Sequence, residues 1–475
     1  MNTFCSVITL DAIYRSSPAW LQTLFLNAYA ARIESRRRGK PYRNAIRHLL
    51  ESQYWPRQRL EEYRDERIRA IVRQAYNQSL YYRRVLSAAG LSPADIRGAA
   101  DLTRLPLLGK DTVRDHSSEL FTAPSVSRGW VQGHTNGTTG SPLLVWYDRR
   151  TTIINDAVDW RQKVWGGMTE RDWIGILLGR VVVPPHSHIP PFWRVNRVHR
   201  QIWFSSFHMN EENLEGYVRE IRRRELRFLE GYPSTLFILA QFLVRKGISL
   251  PMRAVFTSSE TLHDVQRKTI EAAFACKSFD FYGHAERTIF ATECDRHDGK
   301  HLAEEYGFTE VVDAEGERVP DGKPGFLVGT SLHNTAMPLI RYRTTDISAI
   351  LPDPCACGRT LMRIQSIVTK AEDIVITPDG RMISPTALHF PFNPFPQIIK
   401  SQIVQDEIDH LRVKIVASDE FTAEHRESLR AKLASRLGPS MRIDFELVDE
   451  IPQDRSGKFR WIISRVDHPT HFSWT

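Results

Sequence analysis

The sequence predicts an α/β protein in which a large N-terminal body with mixed sheets precedes a small α+β domain. Three observations carry this expectation. At 475 residues the chain is longer than one hydrophobic core usually organises. Between residues 174 and 306 short apolar runs alternate with amphipathic helical stretches, the pattern of strands and helices taking turns. Beyond residue 370 the chain carries strand and helix periodicities of its own.

In chain order, residues 1–100 read as mainly helical. Residues 20–29 are apolar with near-helical spacing and lead to Arg36-Arg37-Arg38-Gly39-Lys40, the densest basic run. Such a segment can lie on a membrane surface. The commoner arrangement, an amphipathic helix packed on its domain with a solvated basic end, is the expectation. Residues 56–90 predict surface helices, and 103–110 a connector containing proline. A turn-rich segment, 130–148, predicts a hairpin whose second strand is 143–147. Strands are expected at 174–178, 254–257 and 279–282, and helices at 211–224 and 263–275. Residues 305–350 become strand-like, with turns at Glu315-Gly316 and Asp321-Gly322. After a boundary within 369–373, residues 403–416 read as strand, 422–437 as an amphipathic helix, and 441–448 as a strand of alternating polarity. The domains are therefore placed at 1–370 and 371–475.

Hydrophobic residues make up 41% and charged residues 25% of the chain, which excludes a disordered or fibrous protein. A net charge of +8 favours phosphate-bearing partners: nucleotides, coenzyme A, nucleic acid or an anionic membrane. No apolar run approaches bilayer-spanning length, and the short stretch 5–13 lacks a basic leader and contains Asp11, so a cytoplasmic location is expected. Five cysteines, an odd number, speak against a disulfide scaffold.

Their positions suggest a metal instead. Cys294-x-x-His297 and Cys355-x-Cys357 offer three thiolates and one imidazole, the ligand set of a closed structural zinc site, with His301 as the alternative imidazole.

The hairpin loop, His134-Thr135-Asn136-Gly137-Thr138-Thr139-Gly140-Ser141-Pro142, concentrates hydroxyls and glycines in one turn, where amide and hydroxyl donors can converge on phosphate oxygens. It does not end in Gly-Lys-Ser/Thr as a Walker loop would. The segment resembles the phosphate loop of the adenylate-forming superfamily, which includes acyl-CoA synthetases, adenylation domains and luciferases. Further motifs follow in the family's order: Thr257-Ser258-Ser259-Glu260, Phe281-Tyr282-Gly283-His284-Ala285-Glu286, Ile340-Arg341-Tyr342-Arg343-Thr344-Thr345-Asp346, and Pro452-Gln453-Asp454-Arg455-Ser456-Gly457-Lys458. Met337-Pro338-Leu339-Ile340 and Cys355-x-Cys357-Gly358-Arg359 are similar to the phenylacetate-CoA ligase branch and its relatives in capsule and secondary-metabolite pathways.

The resemblance implies ATP as substrate, magnesium as its ion, and coenzyme A as the acceptor of an acyl group taken from a small carboxylic acid. It assigns Thr135, Asn136, Gly137, Thr138, Thr139, Gly140 and Ser141 to the phosphates, with Thr139 also catalytic. Ser259, Glu260 and Gly283 line the adenine pocket and Tyr282 packs on the base. Glu286 holds magnesium, Asp346 grips the ribose, Lys370 contacts the nucleotide, and Lys458 is the catalytic lysine on a domain pivoting at Glu372. Tyr232 and His284 border the acyl group, with Trp160 and Trp165 as further aromatic candidates. The chain departs from the family at Ser141, where many relatives carry Lys, at Thr345, where many carry Gly, and at 369–373, which replace the usual hinge.

These residue types suit the chemistry. A carboxylate attacking the α-phosphorus of ATP crowds anions together, so hydroxyl donors, a metal ion and a lysine must neutralise charge. An adenylate-forming amide or ester ligase needs the same first step and is the alternative. A non-catalytic nucleic-acid-binding protein fits less well, because the basic residues are scattered and no paired Cys/His finger is present.

Overall fold

A computed structural model of the chain describes residues 13–14, 16–37, 39–123, 126–127, 129–134, 143–184, 187–258, 260–367, 369–370, 375–378, 382–383, 388, 390–392, 394–395, 397–452 and 460–466. Its spine is a ten-stranded sheet. From one edge the strands run Ile350–Leu351, Arg363–Ile364, Lys300–Leu302, Phe290–Glu293, Ser278–Gly283, Ala254–Ser258, Phe228–Gly231, Ile174–Leu177, Gln201–Phe204 and Trp193–Asn196. The five from Ser278–Gly283 to Gln201–Phe204 are parallel, and the flanking strands are antiparallel.

The parallel strands account for the continuous apolar runs in the sequence. Ile174–Leu177 and Ala254–Ser258 are buried along their whole length, as strands covered on both faces must be. The helices between them carry local start and stop signals. Asn210 caps Glu211–Arg223 by accepting from Asn213 N at 2.9 Å. Pro233 opens Pro233–Lys246, and Gly247, at φ 62°, closes it.

A second, antiparallel sheet, Gly307–Val312, Gly325–Ser331, Tyr342–Ser348 and Thr369–Lys370, shares a core with the N-terminal helices and the hairpin Val131–His134/Leu144–Tyr147. Gly133 lets that hairpin close, since a Cβ there would lie 2.2 Å from Tyr147 Oη. A third core gathers Val375, the strands Ile398–Glu407, His410–Ala417, Arg442–Leu447 and Ile462–Ser464, and the helix Ala423–Leu437.

One sequence expectation needs correction. Residues 403–416 are not one strand but parts of an antiparallel pair that reverses after Glu407. Ile408-Asp409 is a weak turn signal inside a β-branched run, which hid the reversal. The first helix, Ala19–Arg37, packs on the large body as expected, with Ala30 and Gln22 buried and Leu26 against the main core, while Trp20, Leu24 and Tyr29 are exposed. Among the described residues no helix is long and apolar enough to cross a membrane.

Candidate active site and metal centre

Parallel strands align their C-terminal ends, and in open α/β sheets the ligand crevice lies there. The strands ending at Gly231, Ser258 and Gly283 deliver Tyr232, Glu260, His284 and Glu286 to that edge. The second sheet adds Tyr342 and Asp346 from its strand Tyr342–Ser348. Tyr282 Oη donates to Asp346 Oδ2 at 2.6 Å, and both residues are buried. Burial and the adjacent Asp346 carboxylate push the Tyr282 phenol well above its ordinary value, so it stays a donor. Asp346 Oδ1 has no partner among the described residues.

Glu286 is held at both oxygens. Tyr342 Oη donates to Oε1 at 2.5 Å, and His284 Nδ1 lies 2.9 Å from Oε2. Burial pushes the carboxyl up, but the His284 and Tyr342 hydrogen bonds outweigh it and hold it at about 2. The result is a buried, ionised carboxylate, a group suited to a divalent cation.

Neighbouring contacts fix the hairpin that leads to the expected phosphate loop. Tyr147 Oη donates to the Ala285 carbonyl, and Arg287 stacks 4.1 Å from the Tyr147 ring centroid. Asp148 caps the helix Arg149–Trp165, accepting from Thr151 N at 2.7 Å, and accepts from Thr335 N at 2.9 Å. Arg341, buried at φ 53°, bonds to the carbonyls of Leu105 and Gly316 and to Glu310, joining the connector to the second sheet.

The other expected site residues are distributed unevenly. Thr135 to Ser141, Ser259, Glu372 and Lys458 lie outside the described residues. Lys370 pairs through its backbone with Asp346 across the second sheet. Glu260 accepts from Ser234 N at 3.0 Å and Ser234 Oγ at 3.1 Å, capping the helix that Tyr232 precedes. Trp165 does not join this edge. Its indole donates to Gln53 and its ring meets His301, 5.7 Å between centroids, so its position beside the metal centre replaces the pocket reading.

Sequence reasoning missed Tyr342, although it stood inside a quoted motif. It also missed Lys163, whose buried ammonium bonds Glu230 at 2.9 Å and Asp159 at 3.2 Å just before Gly231-Tyr232. A charged residue on a helix reads as solvated, so nothing along the chain signalled that pair.

Cys294, Cys355, Cys357 and His301 form the second constellation, their ligand atoms all within 4.8 Å of one another. His301, not His297, supplies the imidazole. His297 sits in the turn after Cys294 at φ 53°, which sends its ring to Phe279, 4.6 Å between centroids, and to Glu293 Oε2 at 3.3 Å. The antiparallel return of Lys300–Leu302 instead brings His301 Nε2 to 3.4 Å from Cys357 Sγ. His301 Nδ1 lies 3.2 Å from the Leu361 carbonyl, an arrangement that leaves the Nε2 lone pair facing the thiols. Burial pushes the Cys294 thiol up to about 12 and His301 down to about 4. Three sulfurs and a neutral imidazole fit a tetrahedral soft-metal site.

Comparison with known proteins agrees with this architecture. Residues 375–465 match the CapK C-terminal domain family. The chain is 26% identical to protein CapK of Staphylococcus aureus over 96% of its own length and 100% of that protein. It is 26% identical to the phenylacetate-coenzyme A ligase of Thermus thermophilus over 86% of its length and 97% of that enzyme. The fold matches a crystal structure of 2-hydroxyisobutyryl-CoA ligase with a TM-score of 0.66 at 21% identity, covering 86% of this chain and 90% of that one. In fold the chain is similar to an acyl-CoA ligase, and in sequence and ordered motifs it is similar to phenylacetate-coenzyme A ligases and CapK.

Proposed function

We propose that the protein activates a carboxylic acid with ATP as its acyl adenylate and transfers the acyl group to coenzyme A. The observation that carries this reading is the paired arrangement at the C-terminal edge of the parallel strands: Tyr282 on Asp346, and Tyr342 with His284 on Glu286. Asp346 retains an acceptor for a ribose hydroxyl. A magnesium ion at Glu286 supplies charge neutralisation for the phosphates. The acid's carboxylate oxygen attacks the α-phosphorus, and the bond to pyrophosphate breaks. A thiolate then attacks the acyl carbon and AMP leaves. Lys458 and the hydroxyls of residues 135–141 supply the opposing charge in the first step.

The division at 370/371 belongs to the same proposal, with residues 371–475 rotating about Glu372 to withdraw Lys458 between steps. Phenylacetate-coenzyme A ligases among the relatives favour an aromatic acid, bordered by Tyr232 and His284. Zinc held by Cys294, His301, Cys355 and Cys357 is structural, because four protein ligands leave no open position.

One second reading, an amine or alcohol acceptor, shares the same adenylation step. Mass spectrometry of reactions containing ATP, magnesium, an acid panel and either coenzyme A or amines separates the two. Acyl-CoA is the expected product. Acyl-amine formed with coenzyme A left untouched would give the second reading precedence.

A further inference from the structure

Two aromatic rings meet where the third core faces the large body. His263 and Trp461 lie 5.8 Å apart between ring centroids, with their planes at 66°. Rings crossed in this way attract, the positive rim of one meeting the negative face of the other. Each ring is anchored in its own body. His263 is the N-cap of the helix Asp264–Phe274, its N–H donating to Gln266 Oε1 at 3.1 Å and its carbonyl accepting from Arg267 N at 2.9 Å. Trp461 packs on the third core: its indole donates to Ser401 Oγ at 3.0 Å, its ring meets Phe392 at 5.6 Å between centroids, and its carbonyl accepts from Ile403 N at 2.8 Å. A charge interaction crosses beside it. Burial pushes the Lys400 ammonium down from its ordinary value, and the carboxylates of Glu450 and, from the large body, Glu260 oppose that.

Distance along the chain gives the contact its meaning. Trp461 comes three residues after Lys458, and His263 three residues after Glu260, the end of Thr257-Ser258-Ser259-Glu260. Three residues reach at most about 11 Å. Trp461 seated on His263 therefore tethers Lys458 close to the segment that follows the strand Ala254–Ser258. A rotation that carries Lys458 away must also lift Trp461 off His263, since the two rings belong to different bodies. We propose that the His263–Trp461 contact seats residues 371–475 in the adenylating position and parts before acyl transfer, so that both are positioning residues for Lys458. The inference rests on the proposed adenylation and rotation and names what holds one of the two positions.

The test begins with His263→Asn in the full chain, because asparagine keeps the N-cap and removes the ring. Amide hydrogen exchange needs no substrate. It should quicken at residues 460–464 and stay unchanged in the helix Ala423–Leu437, the control for the fold of the same domain. With phenylacetate as the probe acid, exchange of labelled pyrophosphate into ATP should fall about two- to tenfold, the range one ring pair supports. Conversion of supplied phenylacetyl adenylate and coenzyme A to thioester should not fall. Trp461→Phe should recover most of the exchange that Trp461→Ala loses, and adding His263→Asn to Trp461→Ala should cost nothing further. Unchanged amide exchange at 460–464, losses that add in the double variant, or equal loss of both half-reactions in a folded variant would each overturn the proposal. Wild-type protein that forms no adenylate contradicts the proposed function and this inference with it. Adenylation that His263→Asn leaves at the wild-type rate overturns the inference alone.

Discussion

Glu286 illustrates how single side chains set the chemistry. Its ordinary value is near 4.5, and its hydrogen bonds hold it at about 2 in the fold. A carboxylate depressed in this way stabilises the fold fully above its ordinary value and loses that contribution as pH falls from there toward about 2. Tyr342→Phe removes one donor to a charged acceptor and should cost about 2 kcal/mol at neutral pH. The cost should shrink as the pH of urea unfolding is lowered through the acid window. A pH-independent cost down to about pH 3 would contradict the assignment. At Asp346, exchange for Asn removes the charge expected to hold the ribose, and KM for ATP should rise at least about tenfold. Tyr282, Asp346 and Glu286 were legible as candidates because the motif resemblance gives each a role. Tyr342 stood in the same motif as Asp346 with no role attached, and Lys163 in no motif, so only the fold reveals their contacts with Glu286 and Glu230, 56 and 67 residues away along the chain.

At the scale of elements, strand register decides what spacing suggests. Cys294-x-x-His297 looks like a ligand pair, yet the left-handed turn at His297 points its ring elsewhere while the strand pairing of Lys300–Leu302 with Phe290–Glu293 delivers His301. His301→Ala should therefore release zinc, and His297→Ala should keep about one ion per chain, measured by elemental analysis of protein purified without chelator. Cys355→Ser should lower metal content and thermal midpoint together, since metal binding energy becomes folding energy. Zinc retained by His301→Ala but lost by His297→Ala would reverse the assignment. The parallel strands were legible from their unbroken apolar runs.

For the whole molecule, residues from Val375 to Ile462 share a core of their own, which the proposed rotation of residues 371–475 requires. Lys458→Ala should slow adenylation by at least about a hundredfold, because a point charge is lost where the phosphoryl group is attacked. Conversion of supplied acyl adenylate and thiol to product should continue at near the normal rate. Equal loss of both half-reactions in a folded variant would count against rotation of the domain. That comparison follows once the acid is known, and finding the acid tests the central claim. Labelled pyrophosphate should exchange into ATP only when the proper carboxylic acid is present, and Asp346→Asn should weaken the exchange at limiting ATP. An absence of acid-dependent exchange across a broad panel of aromatic, fatty and amino acids, with magnesium present and the protein folded, would contradict the account.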